Sequence, residues 1–224
     1  KRSNMKKLII FGISDAAEIA KYYFDNFTDY KIIAFCVDKK YLDDKVFLKL
    51  PVLDVDEVLN NFKPNEVKIF IALGYSNLNE LRKSKYEYFK RFGYKFASYI
   101  SPHASILNEF KFGENCFILE NNVIQPYVKI GNNVTLWSGN HIGHHSVIRD
   151  HCFIASQVVI SGRVTVDEQC FFGVNSTIRD NITIGKKSMI GAGSLILSNV
   201  DENSVFKGIE TQPRKLKSNK LKKI

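Results

Sequence analysis

Four of the five histidines, His141, His144, His145 and His151, fall within eleven residues. Neutral imidazole takes up and returns a proton near working pH, and it also ligates metals. Which of the four can do either depends on where the chain turns. That is set by seventeen positions spaced six residues apart, Ile100 to Ile196, all of them large and apolar. Thirteen are isoleucine; the others are Phe112, Leu136, Val166 and Phe172. Ile142 belongs to this series and points inward, and Gly143 after it marks a corner. His144 and His145 are therefore predicted at or just past an edge, facing outward, where they do not serve a core. His141 and His151 read as ordinary surface residues.

A short fixed period marks a repeat architecture in which each unit is completed by the next. Four residues after each large position comes a mostly small or β-branched one, as at Ala104, Cys116, Val134, Ser146, Cys152, Ser176, Ser188 and Ser194. Glycine follows the large residue at Gly113, Gly131, Gly143, Gly173, Gly185 and Gly191, and is read as supplying the positive φ of sharp corners. Three such hexapeptides make a coil of 18 residues, and at ~4.8 Å between strands the stack is roughly 27 Å tall. Residues 18 apart are then neighbours, so Asn122 stacks on Asn140 and His144 on Gly162. The ends need caps, and Asn199 to Pro213 is expected to close one.

Ahead of the repeat lies a small α/β unit. Leu8-Ile9-Ile10-Phe11 reads as a buried strand ending at Gly12, and Ala16, Ile19, Ala20, Tyr23, Phe24 and Phe27 as one helix face. Ile32 to Val37 is a second strand. Asp54 caps a short helix over Val55 to Asn60, Val67 to Leu73 is a third strand, and Asn77 with Glu80 forms a cap for a helix running to Arg91. Tyr94 to Ile100 is a last strand leading into the repeat. Strand–helix alternation implies a parallel sheet with ligands at its carboxyl ends. Gly12-Ile13-Ser14-Asp15-Ala16-Ala17 keeps only the first glycine of the dinucleotide fingerprint, which argues against NAD.

The four cysteines are expected to be buried thiols in a reducing compartment: Cys116, Cys152 and Cys170 take the small inward position, and no metal-ribbon spacing occurs. No leader and no membrane-length apolar run is read, so the expected location is cytoplasmic, without membrane insertion. The net charge of +9 is mostly local, because Arg214 to Ile224 holds six basic residues and no acidic one, and removing those six leaves +3 for residues 1–213. The tail, 214–224, reads as solvated and frayed.

The chain resembles the bacterial sugar acyltransferases typified by sialic-acid O-acetyltransferases and the UDP-amino-sugar N-acetyltransferase of the bacillosamine pathway. The likeness is carried by His144-His145-Ser146-Val147-Ile148, Ile160-Ser161-Gly162, Phe172-Gly173-Val174-Asn175-Ser176 and Ile190-Gly191-Ala192-Gly193. The resemblance implies a Rossmann-like α/β domain over 5–100 that binds a nucleotide sugar, then a left-handed parallel β-helix over 101–213. It also implies a homotrimer holding acetyl-CoA in the cleft between neighbouring β-helices, with no metal and no nucleic acid. By the same resemblance His144 is the general base, with His145 beside it as the other catalytic candidate. Gly162 supplies a backbone N–H to the oxyanion, and Gly162, Val174, Ala192 and Phe153 lie along the cofactor. Ser14, Asp15, Ala16, Asp38 and Gly74 meet the nucleotide sugar. The implied reaction is acetylation of an amino group on a nucleotide-linked amino sugar in surface-glycan biosynthesis; a hydroxyl acceptor is the alternative.

This sequence departs from that pattern at three places. The amino-sugar members carry a carboxylate after the base, where His145 stands here. They carry a second histidine where Phe153 stands, and a G-x-S-G-H loop absent from the first turn. Two other classes are weighed. A zinc site of the trimeric β-helix type needs a third histidine one coil away, and neither position 126 nor 162 supplies one. A non-catalytic scaffold has only the basic tail in its favour.

Overall fold

The computed structural model describes residues 6–107, 111–208, 210–213 and 215. Six strands and three helices build the N-terminal domain: β1 Lys6–Phe11, α1 Asp15–Phe27, β2 Tyr30–Val37, β3 Val46–Phe47, β4 Leu50–Asp54, α2 Val55–Asn61, β5 Val67–Ile71, α3 Glu80–Arg91 and β6 Lys95–Phe96. The sheet order is β3-β4-β2-β1-β5-β6, parallel throughout except for the β3–β4 hairpin. Parallel strands are buried on both sides, which is why Leu8, Ile9, Ile10 and Phe11 form an unbroken buried run. α1 covers one side through Ala17, Ala20 and Phe24, while Val58 of α2 and Tyr86 and Phe89 of α3 cover the other.

Several local expectations shift. The buried line of α1 runs through Ala17, Ala20 and Phe24, and Phe27 is exposed. Asp54 caps α2 in a reciprocal box with Glu57. Asn77 does not cap α3. The residue there is Asn79, and Asn77, Leu78 and Asn79 are all left-handed, with φ of 49°, 49° and 65°. The Asn79 side chain serves the next domain instead, donating to the Cys170 carbonyl at 3.2 Å. The expected strand from Tyr94 to Ile100 is two, because β6 ends the first sheet and Tyr99–Ile100 begins the coil.

Among the described residues, Tyr99 to Phe206 form a three-sided parallel β-helix of two-residue strands, in sheets of seven, six and five. Face one stacks Tyr99–Ile100, Phe117–Ile118, Thr135–Leu136, Phe153–Ile154, Phe171–Phe172, Met189–Ile190 and Val205–Phe206. Face two carries His141–Ile142 between Val123–Ile124 and Val159–Ile160. Face three includes Lys129–Ile130, Val147–Ile148 and Thr165–Val166. The second residue of each strand is the ladder residue, and every one from Ile118 to Ile196 is buried, each contributing about 1.5–3 kcal/mol. Ile100 and Ile106 are partly buried and Phe112, in the first coil, is 45% exposed.

The corner chemistry differs from expectation. The left-handed residue is not the glycine after the ladder residue but the one three places on: Asn115, Asn121, Asn133, His145, His151, Arg163, Asn175 and Asn181 all have φ between 55° and 65°. Asparagine suits that region. The ladder-following glycines answer crowding instead. A Cβ on Gly143 would lie 2.4 Å from the Ser161 carbonyl carbon, and one on Gly173 would lie 2.5 Å from the Ala192 nitrogen.

The domains share a core. Tyr99, Phe117 and Leu119 of the first coils belong to the same buried cluster as Leu8, Ile10, Phe24 and Phe70. Across the other side of the sheet, Arg82 of α3 is buried against the coil. Its Nη1 donates to the Asn133 carbonyl and to Asn133 Oδ1 (3.1 Å); its Nη2 donates to Asn79 Oδ1 (3.1 Å) and to the carbonyls of His151 (3.2 Å) and Cys152 (3.1 Å). Desolvation lowers its pKa to about 10, so it remains a cation at neutral pH, held by carbonyl dipoles.

His151, expected at the surface, is only 5% exposed under this contact. Asn133 Oδ1 already accepts from Arg82 and from Asn115 Nδ2 (2.8 Å), so its Nδ2 is the group that faces His151 Nδ1 at 2.9 Å. His151 Nδ1 must accept, and the ring is neutral with its proton on Nε2. Burial first, then the nearby Arg82 and Lys83, depress its pKa to about 4 against the pull of Asp150.

Candidate functional site

The His144–His145 corner follows face two. Gly143 lets the chain pass against Ser161, and backbone bonds to both adjacent coils then fix the turn. His144 N–H donates to Gln125 Oε1 (2.9 Å), His145 N–H to the Pro126 carbonyl (3.1 Å), and Arg163 N–H to the His144 carbonyl (2.8 Å). Both histidines are exposed. Their Nδ1 atoms are 3.0 Å apart, with rings nearly perpendicular at 88°. The His145 ring lies over Tyr127, with centroids 4.6 Å apart, and its pKa is lowered by partial desolvation and by the nearby Arg163 and His144.

The other edge of the His144 ring faces Gly162, one coil on. A Cβ there would lie 2.7 Å from His144 Nε2, so only glycine leaves that ring in place. No group among the described residues accepts the Gly162 N–H. His144 Nε2 therefore faces Gly162, whose amide has no acceptor among the described residues, at an open edge.

Val174 and Ala192 lie at a different corner, the one after face one, where Gly193 N–H donates to the Val174 carbonyl (2.8 Å). Val174 is 48% exposed. Ala192 lines a cavity of about 400 Å³ with Met189, Gly191, Phe206 and Lys207. Within one chain this corner and that of His144 are separated by the width of face two.

A third feature is the cleft between the domains, about 330 Å³, lined by Asp15, Ala16, Leu73 and Gly74 from one side and Phe117, Thr135, Trp137 and Phe153 from the other. Its position at the carboxyl ends of β1 and β5 is where parallel sheets gather ligands. Asp15, Ala16, Gly74 and Phe153 meet there. Ser14, exposed ahead of α1, is not among its walls. Asp38 lies elsewhere, paired with Lys85 Nζ (2.5 Å) beside a smaller cavity with Val55 and Tyr88.

Reading the sequence missed the aromatic wall. Tyr75 packs on Phe153 (5.0 Å) and Phe171 (4.7 Å), with Trp137 beside them. The signal was available: the outward position before each ladder residue on face one is Tyr99, Phe117, Phe153 or Phe171 in four of the first five coils, and aromatic outward residues need a cover. His141 projects between Val123 and Val159. Among the described residues no group of three or more His, Cys, Asp or Glu could hold a metal ion, and no helix is long and apolar enough to cross a membrane. The basic tail lies outside the described residues apart from Lys215.

A Rossmann-like domain capping a left-handed β-helix of hexapeptide repeats is the architecture of this class of protein. Residues 95–206 match the family described as the GMPPB C-terminal domain, and residues 7–89 the PglD N-terminal domain. The chain belongs to the family of the GMPPB C-terminal domain, whose model spans half of it. No curated protein sequence matches it significantly. Among solved structures it is similar to the acetyltransferase domain of PglB from Neisseria gonorrhoeae (20% identity, 91% of this chain and 97% of that one, TM-score 0.80). It is also similar to a histidine-to-asparagine variant of perosamine N-acetyltransferase from Caulobacter crescentus, in complex with CoA and GDP-perosamine (20%, 92% and 95%, 0.80). WeeI from Acinetobacter baumannii gives 18%, 91% and 97%, and 0.77. At these identities the likeness is one of fold.

Proposed function

We propose that the protein transfers the acetyl group of acetyl-CoA to the amino group of a nucleotide-linked amino sugar. The observation that carries this reading is the corner where His144 Nε2 faces Gly162, whose N–H has no acceptor among the described residues. An amine must be uncharged and must shed a proton as it attacks the thioester carbonyl. His144 accepts that proton, a role that contributes about 10²–10⁴-fold. The carbonyl oxygen gathers negative charge beside Gly162 N–H, a donor of a kind whose loss costs about 10²–10³-fold. The C–S bond then breaks, and the proton held by His144 passes to the departing sulfur, leaving amide and CoA thiol.

The interdomain cleft supports the nucleotide half of the reading. Its aromatic wall suits a flat base or an apolar sugar face, while Asp15 suits hydroxyl or amino donors. Because the cleft and the Val174–Ala192 corner lie on face one and the histidine corner lies beyond face two, a working site draws its parts from two chains. A trimer about a threefold axis accomplishes that, with the acetyl donor between neighbouring coils. The relatives named above, one solved with acetyl-CoA and another with CoA and GDP-perosamine, are in keeping with these ligands.

The test is release of CoA thiol from acetyl-CoA with a panel of nucleotide-linked amino sugars and their hydroxyl counterparts. Turnover with amino acceptors only, and a kcat at least about 10²-fold lower in His144→Ala with KM for acetyl-CoA little changed, is expected. Turnover restricted to hydroxyl sugars, or a fully active His144→Ala, overturns it.

A further inference from the structure

Every parallel strand of the first domain's sheet opens on lysine. Lys49 precedes β4, Lys31 is second in β2, Lys6 and Lys7 open β1, Lys68 is second in β5 and Lys95 opens β6. In the order β4-β2-β1-β5-β6 this makes one row along the amino end of the sheet, about 19 Å long at ~4.8 Å between strands. That end is opposite the cleft, which lies at the carboxyl ends of β1 and β5. Lys68 is half-buried, with its Nζ over the Tyr30 ring, and the other five are exposed.

The row is not neutralised from within. Lys7 stands directly opposite Lys31, and Lys68 opposite Lys95; like charges across neighbouring strands oppose folding. Among the described residues none of the six lysines is in an ion pair. The carboxylates in the turns at this end are Asp29 and Glu66, and Glu66 already accepts the Lys63 N–H (2.9 Å). The carboxyl ends of α1, α2 and α3 also lie here, but at about half an elementary charge each they offset fewer than two of the lysines. Lys6, Lys7, Lys68 and Lys95 together wall a cavity of about 530 Å³ in which Glu66 is the only carboxylate.

Apolar side chains flank the row. Leu48, in the turn before β4, is 37% exposed, and Phe92, in the turn before β6, is 50% exposed. Cations at one level with an apolar tip at either edge suit a plane of lipid head groups, where the cations meet phosphates and the tips reach the acyl boundary. A nucleic-acid duplex or an acidic peptide matches the charge but gives Leu48 and Phe92 nothing to enter. We propose that the amino end of this sheet is a peripheral docking surface for an anionic lipid bilayer, with the lysine row on the head groups and Leu48 and Phe92 at its edges. The cleft then faces away from the membrane and stays open. This contact does not depend on the reaction proposed above.

The test is co-sedimentation of the intact protein with phosphatidylcholine vesicles, with and without phosphatidylglycerol. The protein should bind only the anionic vesicles, and raising the salt from low to physiological strength should weaken binding about 10-fold or more. A lysine near an anionic surface is worth about fivefold, so the combined Lys6→Gln, Lys7→Gln and Lys95→Gln variant should lose about 10²-fold. Its melting temperature should hold or rise, because the Lys7–Lys31 and Lys68–Lys95 oppositions are relieved. Phe92→Ser should lose about 10-fold while keeping the salt dependence. The basic tail is separated from the row by deleting residues 214–224, and in that background the triple variant should still cost about 10²-fold. Unchanged vesicle binding in the triple variant, equal binding to phosphatidylcholine alone, binding to neither vesicle, or loss of all binding with the tail overturns the proposal. Tighter binding to duplex DNA than to anionic vesicles, with Phe92→Ser at wild-type strength, would assign the row to nucleic acid instead.

Discussion

Replacing His151 by asparagine should make the protein less sensitive to mild acid, by an amount the junction geometry sets. The His151 ring accepts from Asn133 and packs on Tyr86 (5.6 Å) beneath Arg82. A proton on Nδ1 would set N–H against N–H and place a second cation by the first. The folded pKa is about 4, against an ordinary 6.5. Above pH 6.5 neither state of the chain binds the proton and the stabilisation is complete. Below it the unfolded chain takes up a proton that the folded chain refuses, and stability is lost progressively until pH 4. At pH 5 the loss is about 1.5 pH units at 1.36 kcal/mol each, or about 2 kcal/mol. Asparagine tolerates the left-handed φ of 65° found there, and its Oδ1 can accept the same amide proton, extending the Asn115–Asn133 column. Urea unfolding of wild type and His151→Asn, at one protein concentration, should give values within about 1 kcal/mol at pH 8. At pH 5 the variant should have lost about 2 kcal/mol less. Equal acid losses in the two proteins would refute the assignment of a neutral, accepting His151.

Two glycines separate stability from activity. Gly143→Ala drives a methyl into backbone atoms of Ser161 and Gly162 and should cost about 3 kcal/mol or more, read by thermal unfolding. In Gly162→Ala the methyl first meets the tip of the His144 ring, so the melting temperature should barely move while displacement of that ring lowers kcat about 10²-fold. Arg82→Met strands the carbonyls of Asn133 and His151 and should destabilise by about 3 kcal/mol in urea, with CoA thiol release at saturating substrate little changed. Trp137→Ala should raise KM for the nucleotide-linked acceptor about 10-fold and leave KM for acetyl-CoA alone, as initial-rate kinetics will show.

The β-helix was legible because its signal is periodic and local: Ile118 to Ile196 is buried at every sixth residue. What escaped depends on neighbours far along the chain. The glycines after the ladder residues were attributed to backbone conformation, but their cause is a coil 18 residues away, as Gly143 against Ser161 shows. The left-handed corners were written in Asn115, Asn121 and Asn133, yet the same conformation at His145 and Arg163 carries no compositional mark. His151 is buried because α3 lies over its corner, a packing that the repeat does not encode. Asn79 was overlooked as part of the junction because its partner, the Cys170 carbonyl, is ninety-one residues distant. At the candidate site, the stacking of His144 on Gly162 followed from the repeat length alone. The aromatic side of the cleft required knowing which face the first domain covers.

The shared core of Tyr99, Phe117 and Leu119 with Phe24 and Phe70 means that neither half is a detachable module. Cut at the boundary, the coil would present an oily flank to water and should clump, while the leading half would lose one wall of its hold on any bound molecule. A guest seated in the cleft touches both halves at once, so occupancy doubles as a fastener, raising the melting point of the whole chain with every tenfold rise in its concentration.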